Sequence, residues 1–93
     1  MSTYFLFGKY SLDSMKEISA KRSEKSIALI KEFGGVLKAG YALLGDVDLI
    51  LIVDLPDTEA AMKLSLGLAR MLGVSFQTAP AVTFEEFDKL AGR

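Results

Sequence analysis

Arg22 stands out among the residues of this chain that could do chemistry. On a helical wheel at roughly 100° per residue, Met15, Ile18, Leu29, Ile30 and Phe33 share one apolar stripe, and Arg22 and Ser26 fall near its centre. A guanidinium does not shed its proton, so against a sheet it needs a carboxylate, a set of carbonyl oxygens or a bound anion. Asp48, heading an otherwise apolar segment, offers the carboxylate, and Tyr41 offers a phenol able to donate a hydrogen bond or act as a weak acid. Arg22, Tyr41 and Asp48 are therefore the candidate ligand-binding residues. No catalytic residue is singled out. Each candidate also has a plainer reading: Arg22 lays its alkyl stem along the core edge with its head in water, Asp48 is an exposed turn acid, and Tyr41 packs its ring and wets its tip. Lys9 and Lys38 read as solvated strand-edge charges, and Glu85-Glu86 is rejected as a metal site because adjacent helical residues point in different directions.

Composition narrows the chemistry further. The 93 residues include no cysteine and no histidine, which removes disulfides, thiolate and imidazole metal ligands, and the commonest general base. No cofactor is expected, neither haem nor a stoichiometric transition metal. A net charge of −1 gives no basic field for a phosphate backbone or an anionic membrane, so neither nucleic acid nor membrane is an expected partner. The opening MSTYFLFGKY lacks a basic leader, and the run Leu49 to Val53 is far shorter than the ~20 residues that span a bilayer. A cytoplasmic location is the expectation.

The elements that must position these residues follow from period and punctuation. Thr3 to Phe7, aromatic and ended by Gly8, predicts a first strand. Ser11 as N-cap, Asp13 in the first turn and Gly34-Gly35 as the stop predict one helix of about six turns. Val36 to Leu44, a tight turn at Gly45-Asp46, and Asp48 to Leu55 predict a hairpin ended by Pro56. Asp57 caps a second helix through Leu72, stopped by Gly73, and Val74 to Val82 is a fourth strand whose Pro80 suits an edge. Thr83 with Glu86 forms a capping box for a short terminal helix carrying Phe84, Phe87 and Leu90. The order βαββαβ in one domain, residues 1–93, is that of an α+β, ferredoxin-like arrangement: a four-stranded antiparallel sheet with both long helices on one face.

The other face of such a sheet would be bare. Yet Tyr4-Phe5-Leu6-Phe7 and Leu49-Ile50-Leu51-Ile52-Val53 are apolar at every position rather than alternating. Both faces are expected to be buried, the second against another subunit or around a ligand cavity. Sheets packed face to face would make a homodimer with the form of a dimeric α/β barrel.

Gly34-Gly35, Tyr41, Gly45-Asp46-Val47-Asp48 heading an apolar strand, Pro56-Asp57 opening a helix, and Thr83-Phe84-Glu85-Glu86-Phe87 resemble, in order and spacing, the GYD-domain family. The resemblance spans nearly the whole chain and includes an arginine in the first helix, here Arg22. It departs at the triplet that names the family, where Val47 stands in the tyrosine's place. The resemblance implies a small dimeric α/β barrel of unassigned function, in a group of barrels that also holds cofactor-free monooxygenases, haem enzymes and ligand-sensing modules. Two functions follow as expectations. One is an oligomeric module that binds a small molecule or partner. The other is a cofactor-independent oxygenase or isomerase acting on a small aromatic or carbonyl compound in an apolar pocket. A third, single-stranded RNA binding, needs stacking aromatics on both central strands and positive charge, and the sequence supplies neither.

Overall fold

The computed structural model describes residues 1–92. Strand β1 covers Ser2–Tyr10, followed by helices α1 (Leu12–Lys16) and α2 (Ala20–Glu32), strands β2 (Val36–Ala42) and β3 (Leu49–Leu55), helix α3 (Thr58–Leu72), strand β4 (Val74–Ala81) and helix α4 (Phe84–Leu90). The sheet order is β2-β3-β1-β4, with every neighbouring pair antiparallel, so the two βαβ crossovers interlock as the element order predicts. Pro80 lies on β4, an edge strand, where its missing N–H need not serve two neighbours.

Alternation along β1 and β3 sorts the two faces. Tyr4, Leu6, Val53 and Leu55 point to the helices and form the core with Ile30 of α2 and Ala61, Leu64 and Leu68 of α3. Phe5, Phe7, Ile50 and Ile52 point the other way, paired as Phe5 with Ile52 and Phe7 with Ile50, and are half-buried within the single chain. The Phe5 and Phe7 ring centroids are 6.2 Å apart. One end of this uncovered face is polar: the Thr3 hydroxyl donates to Asp54 Oδ1 at 2.6 Å, and Lys38 Nζ lies 3.5 Å from Asp54 Oδ2.

The single six-turn helix is corrected to two helices. Ser11 does cap the first, its Oγ accepting from the Ser14 N–H at 3.0 Å, but that helix ends after five residues. Ser19 then adopts extended backbone and caps α2, accepting from the Arg22 N–H at 3.3 Å. A capping residue inside a periodic run offers the backbone an alternative to continuing, and here tertiary bonds across the break hold that alternative. The stop at Gly34-Gly35 is a Schellman turn: Gly34 N–H donates to Lys31 O and Gly35 N–H to Ile30 O, both at 2.9 Å, with Gly34 at φ 79°. At Gly35 a Cβ would stand 2.5 Å from Leu55 Cδ2, so only glycine lets the chain pass this close to β3.

Two strand boundaries also move. β1 runs through Gly8 to Tyr10, which pairs with Val74 of β4, and at Gly8 a Cβ would stand 2.9 Å from both Leu49 and Phe76. The β2–β3 connection is a loop over residues 43–48, wider than a tight turn and closed by Leu43 N–H donating to Asp48 O at 2.8 Å. Helix α3 is as predicted, with Asp57 Oδ1 accepting from the Ala60 N–H at 2.8 Å and Gly73 left-handed at φ 67°. Among the described residues no helix is long and apolar enough to cross a membrane.

Candidate functional site

Helix α2 packs by its C-terminal half. Ile30 is fully buried and Leu29 and Phe33 lie against the core, whereas Arg22, Ser23 and Ile27, nearer the N-terminus, stand off the sheet. The gap is a pocket of about 290 Å³ on the helix side of β2 and β3. Leu37, Gly40, Leu49 and Leu51 form its sheet wall, Ile27 and Ile30 its helix wall, and Ser19, Arg22 and Ser26 bring polar groups to it. Such a site, mostly apolar with a few convergent polar groups, is the usual form of a small-molecule pocket.

Arg22 is held by three oxygen atoms from two parts of the chain. Its Nη1–H donates to Ser14 O at 2.6 Å, and its Nη2–H groups donate to Ser14 Oγ at 2.8 Å and Leu72 O at 2.6 Å. Ser14, 3% exposed, in turn donates its hydroxyl to Leu72 O. Carbonyls near the C-terminal ends of α1 and α3, where a helix runs short of its own donors, are thus gathered by one guanidinium, Ser14 O keeping the Glu17 N–H besides, and the break between α1 and α2 is tied to α3. Of the three kinds of partner an arginine in that stripe requires, the fold supplies the set of carbonyls.

Arg22 and Asp48 do not meet. The Asp48 carboxylate accepts from the Tyr10 N–H at 2.9 Å, and its own N–H donates to Gly8 O at 2.9 Å, so this residue fastens the end of β1 to the β2–β3 loop. Asp48 is absent from the described pocket wall. Tyr41 borders the pocket, but it pairs with Ile50 and is 60% exposed, which puts its side chain on the uncovered face. The cause is a bulge at Lys38. Leu37 pairs with Val53 on the helix side, yet Ala39 pairs with Ile52 on the opposite side, so every later residue of β2 is inverted and Gly40, not Tyr41, faces the helices. Tyr10, not a candidate from sequence, lines the pocket instead. The signal was present in β1, where residues 4, 6, 8 and 10 share the covered face.

The model of the GYD domain matches residues 3–91. The chain belongs to the GYD-domain family. No match is found among the curated proteins. Among solved structures, this GYD chain is similar to the leucine response regulatory protein LrpA of Mycobacterium tuberculosis, at TM-score 0.58 and 10% identity, covering 88% of this chain and 51% of that one. A second structure, of a glutamate-to-alanine mutant, superposes at TM-score 0.57 and 12% identity, covering 88% of this chain and 50% of its own. The GYD chain thus spans about half the length of the structures it resembles, and at these identities the likeness is one of fold.

Proposed function

We propose that this GYD domain is a small-molecule-binding module that works as a homodimer, its uncovered sheet face packed against that of a second copy. The pocket between the N-terminal half of α2 and the β2–β3 sheet carries this reading. Its walls are Leu37, Leu49, Leu51 and Ile27, and its polar groups converge at the end where Arg22 is pinned. The dimer is supported by Phe5, Phe7, Ile50 and Ile52, contiguous apolar side chains that a lone chain leaves half in water. A catalytic role for the same pocket needs a proton acceptor on its wall. Asp48 is engaged elsewhere, the Tyr41 side chain stands on the other face, and among the described residues the wall carries no carboxylate beside the Tyr10 phenol, so the geometry favours binding over cofactor-independent catalysis.

A titration of the isotope-labelled protein with a panel of small apolar compounds, followed by backbone amide shifts, tests the pocket. Shifts clustering at Gly40, Leu49, Leu51 and Ile27 are expected. Shifts confined to the Phe5 and Phe7 side of the sheet, or none with any compound, would sink the pocket reading.

A further inference from the structure

We propose that the pocket takes a small apolar carboxylate, with the acid group at Arg22 and the hydrocarbon over Leu37, Leu49 and Leu51. This rests on the pocket being a binding site and adds the charge of what it binds. Among the described residues Arg22 is the one charged side chain on the wall, and no acid faces it there. Its three bonded partners are neutral oxygens, Ser14 O, Ser14 Oγ and Leu72 O, so the head group is fixed in place while its charge is kept. Three of the five guanidinium N–H groups are used in this way, and the others are left as donors.

The surroundings have the same sign. Ser19, the N-cap of α2, lines the pocket, and the first turn of α2 carries no acidic residue to offset the positive end of its dipole. The α3 C-terminus is of opposite sign, but its Leu72 carbonyl already accepts from both Arg22 and Ser14. The Ser26 hydroxyl is turned to its own helix, donating to Arg22 O at 2.9 Å, and Ser19 Oγ accepts from the Arg22 N–H. The Ser19, Ser26 and Leu72 groups around the guanidinium are therefore engaged while guanidinium donors remain, which suits a carboxylate better than an ammonium group. Space for the hydrocarbon comes from Gly40: a Cβ there would reach within 3.3 Å of Leu51 Cδ2, on the sheet wall.

Calorimetric titration at pH 7 with hexanoate, 1-hexanol and hexylammonium, which differ only in the head group, tests this. Hexanoate is expected to bind about tenfold or more tightly than hexanol, and hexylammonium weakest. Arg22→Gln should bring hexanoate to the level of hexanol, and Arg22→Lys should restore the order. Gly40→Val should weaken hexanoate and hexanol together. Should the Arg22 variants fail to fold, the three titrations of the unaltered protein decide by themselves. Equal binding of hexanoate and hexanol, or a preference for hexylammonium, overturns the carboxylate and leaves the pocket standing. Failure of all three to bind overturns the pocket with it.

Discussion

At the scale of single residues, Arg22 is a junction rather than a surface charge, and its removal has a calculable sign. Both carbonyls it binds keep one other donor, Glu17 N–H for Ser14 O and the Ser14 hydroxyl for Leu72 O. Arg22→Met is therefore expected to cost about 1.5–3 kcal/mol, the range for charge-assisted hydrogen bonds, and not the larger penalty of an orphaned buried charge. Since Asp48 has no bond to Arg22, the costs of Arg22→Met and Asp48→Asn should add to within about 0.5 kcal/mol in urea unfolding. A clear departure from additivity would mean that the two residues are coupled after all. Asp54 carries the acid response. The Thr3 hydroxyl first, and then the Lys38 charge, hold its carboxyl below the ordinary 3.8, against desolvation acting the other way. A carboxyl with a lower pKa folded than unfolded stabilises the fold above its unfolded pKa, and that contribution disappears as pH falls through the lowered value. The melting temperature should accordingly drop on acidification below about pH 4, and Asp54→Asn should flatten that slope. Identical slopes in the two proteins would remove Asp54 from the acid response.

At the scale of elements, the interruption at residues 17–19 makes the pocket's polar end. A continuous helix would carry the chain past Ser14 O, whereas the break leaves this carbonyl with the Glu17 N–H alone from its own helix and open to Arg22. Ser19→Ala removes the cap and is expected to lower stability by about 1 kcal/mol, with the loss appearing as faster amide exchange over residues 20–23. Unchanged exchange there would show that the Arg22 bonds alone hold the break. Helix α4 is the opposite case. Thr83 caps it, accepting from the Glu86 N–H at 3.1 Å, yet none of its residues is buried, and Phe84, Phe87 and Leu90 are 89%, 60% and 78% exposed. A helix of seven residues gains little from propensity alone, so within one chain its amides should exchange fastest of all the helices.

At the scale of the whole molecule, β3 has a pair of neighbours that read the two faces of the sheet separately. Leu51 faces α2 and the pocket, and Ile50 faces outward beside Phe7. Leu51→Glu should prevent folding, because the carboxylate would enter the helix-covered side, while Ile50→Glu should leave a folded monomer. Sedimentation equilibrium at micromolar concentration is expected to give a dimer for the unaltered protein and a 10.1 kDa species for Ile50→Glu. A 10.1 kDa species for both would refute the dimer. The expected interface is on the order of 1,500 Å² in total, the size of specific protein–protein contacts.

Apart from the break between α1 and α2, the chain's local chemistry by itself determined the element order, because caps and stops act within a few residues: Asp57 and Gly73 bracket α3, Thr83 opens α4, and Gly34-Gly35 closes α2. It also determined that both faces of β1 and β3 are apolar, since a period of two needs no tertiary information to read. Arg22 was legible as an anomaly in an apolar stripe. Its partners were not, because they are mainly backbone carbonyls, which every residue carries, and one of them lies fifty positions away at Leu72. Tyr41 was misplaced for a related reason. One inserted residue at Lys38 reverses all that follows in β2, and a bulge depends on pairing with β3 and on the Lys38–Asp54 contact rather than on local composition. The pocket likewise belongs to the tertiary structure: it is the distance between two halves of one helix and a sheet, and that distance is decided by which half finds a close-packed surface.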